Sequence, residues 1–214
     1  MMSKYDFTGL VEWGKMTGWF DLAEAIAIQM AVKQLPNGAQ VVELGCFQGK
    51  SSVAIASVLP PEGRLFCVDM FGGMILQPGQ VKPPIEEVVK INVTAFENNI
   101  EKFGVKEKVD FVVMSTTEAA NKFEPNSIDL LFIDADHSYE GVMADLQNWY
   151  PKLKAGGWLF CDDYGVENFP GVARAIKSFG LQGEVVAPSL WRHKKPVEMP
   201  AVINLDSQDR LQIL

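Results

Sequence analysis

The stretch "AQVVELGCFQGKSSVAIASVL", residues 39–59, passes from one kind of order to another within twenty-one positions. Its first part is short and almost continuously apolar, as a strand covered on both faces should be. Gly45 and Gly49 then bracket a turn, and a run of helical period follows until Pro60-Pro61 closes it. Strand, glycine turn, helix is the opening of a βαβ unit, and the rest of the chain repeats it. Further apolar runs are "RLFCVDM" (64–70), "VDFVVM" (109–114), "IDLLFID" (128–134) and "GWLFCDD" (157–163). Between them lie helical patterns. Val88, Ile91, Ala95 and Ile100 fall near one stripe of the segment 85–104. Val142, Leu146, Trp149 and Leu153 form another, with Gly156-Gly157 as its stop.

A helix over 18–35 precedes the first strand and ends at Pro36-Asn37-Gly38, and another runs over about 170–179. Two final strands are expected at "GEVVAP" (183–188) and "PAVINLD" (200–206). They are joined by a loop, "SLWRHKKPVEM" (189–199), in which "WRHKK" reads as a solvated turn, so this pair is antiparallel. The fold class is therefore α/β: one doubly wound, mainly parallel, seven-stranded sheet with a C-terminal antiparallel strand pair. Residues 1–214 form a single domain, with 1–37 as a helical packing segment or lid and 39–206 as the core sheet.

Composition narrows the function classes. The chain has 214 residues, 48% of them hydrophobic, and a net charge of −8. An acidic surface repels a phosphate backbone, so no nucleic-acid partner is expected. No uncharged apolar run reaches the roughly 18 residues of a membrane span, and the first residues lack the apolar core of a signal peptide. Cys46, Cys67 and Cys161 form no CxxC pair, which fits free thiols in a reducing cytoplasm.

Ligands of such sheets bind outside the carboxyl ends of the strands. The first strand ends in "ELGCFQGKSS" (43–52). A nucleotide P-loop needs four residues between its glycine and GK[ST], but Gly45 and Gly49 enclose three. A dinucleotide fingerprint needs glycine at position 47, which is Phe. Glu43 is unwelcome beside phosphates yet suits a cationic ligand such as S-adenosylmethionine. The alternative is that these glycines only make a tight turn. Asp69 ends the second strand, where an acid either accepts ribose hydroxyls or makes a turn. Ser115, after the third, either caps a helix or faces an adenine edge.

The fourth and fifth strands end in acids: Asp134 and Asp136 with His137, then Asp162 and Asp163. If the two strands are neighbours, up to four carboxylates gather in a small volume. Like charges so placed raise one another's pKa, and a hard divalent cation relieves the conflict. Separate turn and capping roles, such as Asp136 with Ser138 before the next helix, are the competing explanation.

Taken together, "VVELGCFQGKSS", "FCVDMF" and "FIDADHSYEGVMADLQNWYPKLKAGGWLFCDDY" resemble the class I S-adenosylmethionine-dependent methyltransferases. Within these they resemble the metal-dependent O-methyltransferases of the catechol type and of antibiotic-pathway sugars, over about residues 39–180. The resemblance implies that Gly45, Cys46, Phe47, Gly49 and Ser51 line the methionine end of S-adenosylmethionine. It further implies that Glu43 orients the amino group, that Asp69 holds the ribose, and that Met70 and Ser115 flank the adenine. Asp134, Asp162 and Asp163 match the family's magnesium triad, with Asp134 also facing the cofactor. His137 or Asp136 would be the general base, with His137 favoured because a free imidazole titrates near neutrality.

The implied reaction is O-methylation of a small hydroxylated acceptor, catechol-like or a sugar diol. A metal-independent enzyme and a non-catalytic adenosyl-ligand binder are the alternatives. The apolar, proline-rich stretch 72–87 departs from the sugar enzymes and reads as a lid or substrate wall. "TGWFD" (17–21) covers the cofactor or packs on the sheet. A second copy of the chain is a candidate partner through the final strands.

Overall fold

In a computed structural model, residues 7–74 and 83–197 are described. The five apolar runs are strands β1 (Gln40–Leu44), β2 (Arg64–Asp69), β3 (Val109–Val113), β4 (Ile128–Ile133) and β5 (Leu153–Cys161). All pair in parallel. Between and around them run α1 (Phe7–Gly14), α2 (Leu22–Val32), α3 (Lys50–Ala56), α4 (Ile85–Lys102), α5 (Thr116–Ala120), α6 (Tyr139–Trp149) and α7 (Pro170–Ser178). Two short strands, β6 (Glu184–Val185) and β7 (Trp191–Lys194), complete a seven-stranded sheet of order β3-β2-β1-β4-β5-β7-β6. β7 is antiparallel to both β5 and β6. The strand order reverses between β1 and β4, which makes the carboxyl ends of those two strands the switch-point crevice. No described helix is long and apolar enough to cross a membrane.

Alternate residues of the central strands feed two cores. Val41, Leu65, Leu130 and Phe132 face one layer with Ile28 of α2, Ile55 of α3 and Phe96 of α4. Val42, Leu44, Leu131 and Ile133 face the other, with Leu146 and Trp149 of α6 and Ile176 of α7. Each fully buried side chain of this size contributes about 1.5–3 kcal/mol relative to exposure. This two-sided demand is why β1 and β4 read as continuous apolar runs rather than alternating ones.

Several boundaries differ from the sequence reading. β7 occupies the cationic run expected to be a turn. Trp191 and His193 are buried, while Arg192 and Lys194 lie with their charged ends 5.0 and 4.9 Å from the Trp158 ring centroid. The alternation of period two was masked by charges that rest on an aromatic face. The expected strand at 200–206 lies outside the described residues, as do residues 75–82 of the candidate lid. The helix after β4 stops at Trp149, because Pro151 starts a 3-10 turn (Tyr150–Lys152). Leu153, Gly156 and Gly157 belong to β5 instead. In α4 the buried row is Val88, Asn92, Phe96 and Ile100, while Ile91 is exposed. The helix expected over 18–35 is α2 and begins at Leu22, after a box in which the Asp21 side chain accepts from Glu24 N–H and Glu24 accepts from Asp21 N–H.

Candidate functional site

Five loops at the carboxyl ends of β1 to β5, together with the segment before α2, enclose a cavity of about 980 Å³. Its β1 side is a loop pressed hard against the end of β4. Gly45 has φ +85°, and a Cβ there would lie 2.0 Å from the Asp134 carbonyl oxygen, so no side chain fits. Phe47 and Asp163, both at the cavity, also have positive φ, 46° and 57°. Non-glycine residues held in this region are strained and concentrate at functional sites.

The Asp69 carboxylate organises this loop. Its Oδ2 accepts the N–H groups of Cys46 and Phe47, each at 2.7 Å, and its Oδ1 accepts Phe71 N–H at 2.6 Å. A carboxylate offers about four acceptor positions, so these three bonds leave one. Lys50, the loop's cation, donates to the Gly18 carbonyl at 3.2 Å and lies 5.2 Å from the Trp13 ring centroid. The loop's one lysine is thus committed elsewhere, unlike that of a phosphate-binding loop.

The opposite side holds the acids. His137 Nε2 lies 2.9 Å from Asp163 Oδ2 and 3.4 Å from Asp134 Oδ1, and one donor atom of each of these three residues lies within 4.8 Å of the others. The His137 ring packs against Phe169 at 4.4 Å between centroids. Hydrogen bonds first to Asp134 and then to Asp163 push His137 up to about 10, so its proton is held at neutral pH. Burial raises Asp134 to about 6 in spite of that imidazolium. Asp162 is raised as well, chiefly by burial and then by the charge of Asp134.

Of the residues expected at the site, Gly45, Cys46, Phe47, Ser51, Asp69, Met70, Ser115, Asp134, Asp136, His137, Asp162 and Asp163 all line this cavity. Two do not. Glu43 is fully buried beneath the loop, where the hydroxyls of Ser51 and Ser52 donate to it and the Cys67 thiol lies at 3.4 Å. It anchors the start of α3 rather than facing a ligand, and burial lifts it to about 7. Gly49 is the N-cap of α3, at φ +84°, packed under Phe96.

Others carry more than one role. Ser115 lines the cavity and caps α5, accepting Glu118 N–H at 3.2 Å. Asp136 Oδ1 accepts Ser138 N–H at 2.8 Å, as the capping explanation requires. Asp162 stands apart from the Asp134–His137–Asp163 group. Its Oδ1 accepts Asp163 N–H at 2.8 Å, and the Ser189 hydroxyl lies 3.1 Å away, bridging it to Glu24 of α2.

Glu24, Ser189 and Phe169 were missed because none lies at the carboxyl end of one of the five parallel strands. Glu24 in particular reads as the second half of a capping box. Of the segment before α2, Phe20 packs on Phe132 at 5.7 Å while Trp19 stays 75% exposed, 5.7 Å from Phe47 at the cavity wall. Of the two expectations for "TGWFD", packing on the sheet holds for Phe20, and Trp19 lines the cavity wall.

Comparison with known proteins adds three findings. A family model described as a methyltransferase domain matches residues 42–164. Among curated proteins, the uncharacterized protein R132 of Acanthamoeba polyphaga mimivirus is 29% identical over 124 residues, 58% of this chain and 50% of that protein. The flavonoid 3',5'-methyltransferase of Vitis vinifera is 28% identical over 118 residues, 53% of this chain and 42% of that enzyme. The matched region thus spans half or less of these relatives. Among solved structures, the O-methyltransferase NovP superposes with a TM-score of 0.65 at 16% identity, covering 82% of this chain and 81% of its own, a likeness of fold.

Proposed function

Because the chain belongs to the family of methyltransferase domains, we propose that it is an S-adenosylmethionine-dependent O-methyltransferase. Its acceptor is a small molecule carrying a hydroxyl beside a second oxygen, and a hard divalent cation assists. One observation carries this reading: Asp134, His137 and Asp163 converge on the wall of the same cavity that the Gly45 loop bounds.

The residues fit both groups. An acid-lined cavity whose one loop lysine, Lys50, donates to the Gly18 carbonyl suits a ligand bearing ammonium and sulfonium charges. The free acceptor position on Asp69 suits a ribose hydroxyl, and Phe47, Met70 and Trp19 supply apolar surface. Asp134 and Asp163 are oxygen donors brought together by strands β4 and β5 and held against one positive charge, which is what a magnesium-class ion requires. S-adenosylmethionine supplies an electrophilic methyl group on sulfur, and the cation a lowered hydroxyl pKa.

This chain's own residues do the remaining work. Asp162, fixed by Ser189 and Glu24, holds the loop that carries Asp163. Phe169 and Trp19 exclude water. His137 can accept a proton from the acceptor only when Asp134 and Asp163 are paired to another positive charge, since as it stands it is already protonated. Asp136 remains the alternative base; its Oδ1 accepts Ser138 N–H and its Oδ2 packs on Gly141.

The ion pairs of His137 also favour a second reading, in which the imidazolium itself neutralises the two acids and the enzyme needs no metal. Calorimetric titration with S-adenosylmethionine and then with a catechol, with magnesium or with EDTA, separates the two. Micromolar cofactor binding with magnesium-dependent catechol binding supports the metal reading. Catechol binding indifferent to EDTA supports the imidazolium. No binding of S-adenosylmethionine refutes both.

A further inference from the structure

A second cleft, about 430 Å³, opens between the starts of α6 and α7 and shares Asp136, His137 and Phe169 with the main cavity. Its outer wall is Tyr139, Asn168 and Arg174. We propose that this cleft is the outer acceptor subsite and that Arg174 reads an anionic group there, a carboxylate or phosphate borne by the methyl acceptor. The inference rests on the reading of the main cavity as an O-methyltransferase site, and it adds the charge of the substrate.

The Arg174 guanidinium lies over the Tyr139 ring, its carbon 5.1 Å from the centroid. Among the described residues it makes no ion pair and no hydrogen bond. A planar fork of five donors, oriented by an aromatic face and otherwise unengaged, is suited to bidentate capture of a carboxylate or phosphate.

The cleft is a built feature of the fold. Gly171 lets α7 meet α6 so closely that a Cβ there would stand 2.5 Å from Tyr139 N and 2.6 Å from His137 O. That contact fixes Arg174, one turn further along α7, relative to His137. Two acids also line the cleft, Asp136, whose Oδ1 accepts Ser138 N–H, and Glu140, and among the described residues neither forms an ion pair with Arg174. The main cavity gathers Asp69, Asp134, Asp162 and Asp163, so the anionic group of an acceptor is better placed on Arg174 than beside those acids.

The test is equilibrium binding to the full chain, by calorimetry, of 3,4-dihydroxycinnamate and of its neutral methyl ester. The wild type is expected to bind the acid at least about tenfold more tightly than the ester. Arg174→Gln is expected to weaken the acid by about ten- to a hundredfold, the loss of a charged hydrogen-bond pair, and to leave the ester within about twofold. Arg174→Lys recovers part of the loss, because a point charge lacks the fork.

Equal weakening of acid and ester in Arg174→Gln overturns the proposal and leaves Arg174 a clamp on Tyr139. Equal affinities in the wild type, or binding of neither compound, overturn it as well. Failure of the parent reading looks different: the acid then binds in an Arg174-dependent way while no methyl group is transferred.

Discussion

Gly45→Ala isolates the contact that joins the glycine loop to the acid cluster. Two costs arise. An alanine at φ +85° pays the left-handed penalty, about 1–2 kcal/mol. Its Cβ also meets backbone, 2.0 Å from Asp134 O and 2.5 Å from Asp134 C, where nothing flexible can yield. The loop must then lift from β4. That movement breaks the bonds from Cys46 and Phe47 N–H to Asp69, each charge-assisted and worth about 1.5–3 kcal/mol. The total is on the order of 5 kcal/mol, a large share of the roughly 5–15 kcal/mol that stabilises a domain.

Gly180→Ala is the control. Its φ is +84°, nearly the same, but nothing lies within 4 Å of the added atom, so only the backbone penalty applies, about 1–2 kcal/mol. Urea denaturation of both variants measures the difference, and titration with S-adenosylmethionine reports the loop. If the two substitutions cost the same within about 1 kcal/mol, or if Gly45→Ala binds S-adenosylmethionine as the wild type does, the close approach has no part in shaping the site.

Other consequences follow from buried groups. Glu43, 4.5 in water and about 7 in the fold, is favoured in its neutral form, so its contribution is intact below pH 4.5 and is lost as pH rises through 7. Glu43→Gln should therefore gain on the wild type by about 3 kcal/mol between pH 4.5 and pH 8, read as the change in the difference of urea midpoints; a difference constant with pH refutes the assignment. Trp149 is fully buried and its indole N–H donates to Thr116 O at 3.0 Å. Trp149→Ala should cost about 3–5 kcal/mol in the same assay, and a loss below 1 kcal/mol would mean that this face of the sheet is not packed as described.

The parallel sheet was legible because strands covered on both faces leave nearly continuous apolar runs, as β4 does throughout and β1 does after Gln40. Their carboxyl ends could be inspected for chemistry before any contact was known, which brought Asp69, Asp134, Asp162 and Asp163 into view. What failed depended on distant partners. β7 hid in "WRHKK" because two of its cations lie on Trp158, a contact no local pattern reveals. Glu43 looked like a ligand residue, yet it is buried beneath the loop, with Ser51 and Ser52 in the first turn of α3 each donating to one of its oxygens. The separation of Asp162 from Asp163 was invisible for the same reason. It depends on Ser189 and Glu24, which approach from opposite ends of the chain.

The most direct measurement is transfer of a labelled methyl group from S-adenosylmethionine to 3,4-dihydroxycinnamate in the presence of magnesium, with product identified by mass spectrometry. Wild-type protein is expected to give a mono-O-methylated product. The Asp134→Asn, Asp163→Asn double variant should lose at least about a hundredfold in kcat, since these acids would hold a cation whose stabilisation of the transition state is worth several kcal/mol. Product formed at the wild-type rate by the double variant, or no methylated product from the wild type, would contradict the assignment of this cavity.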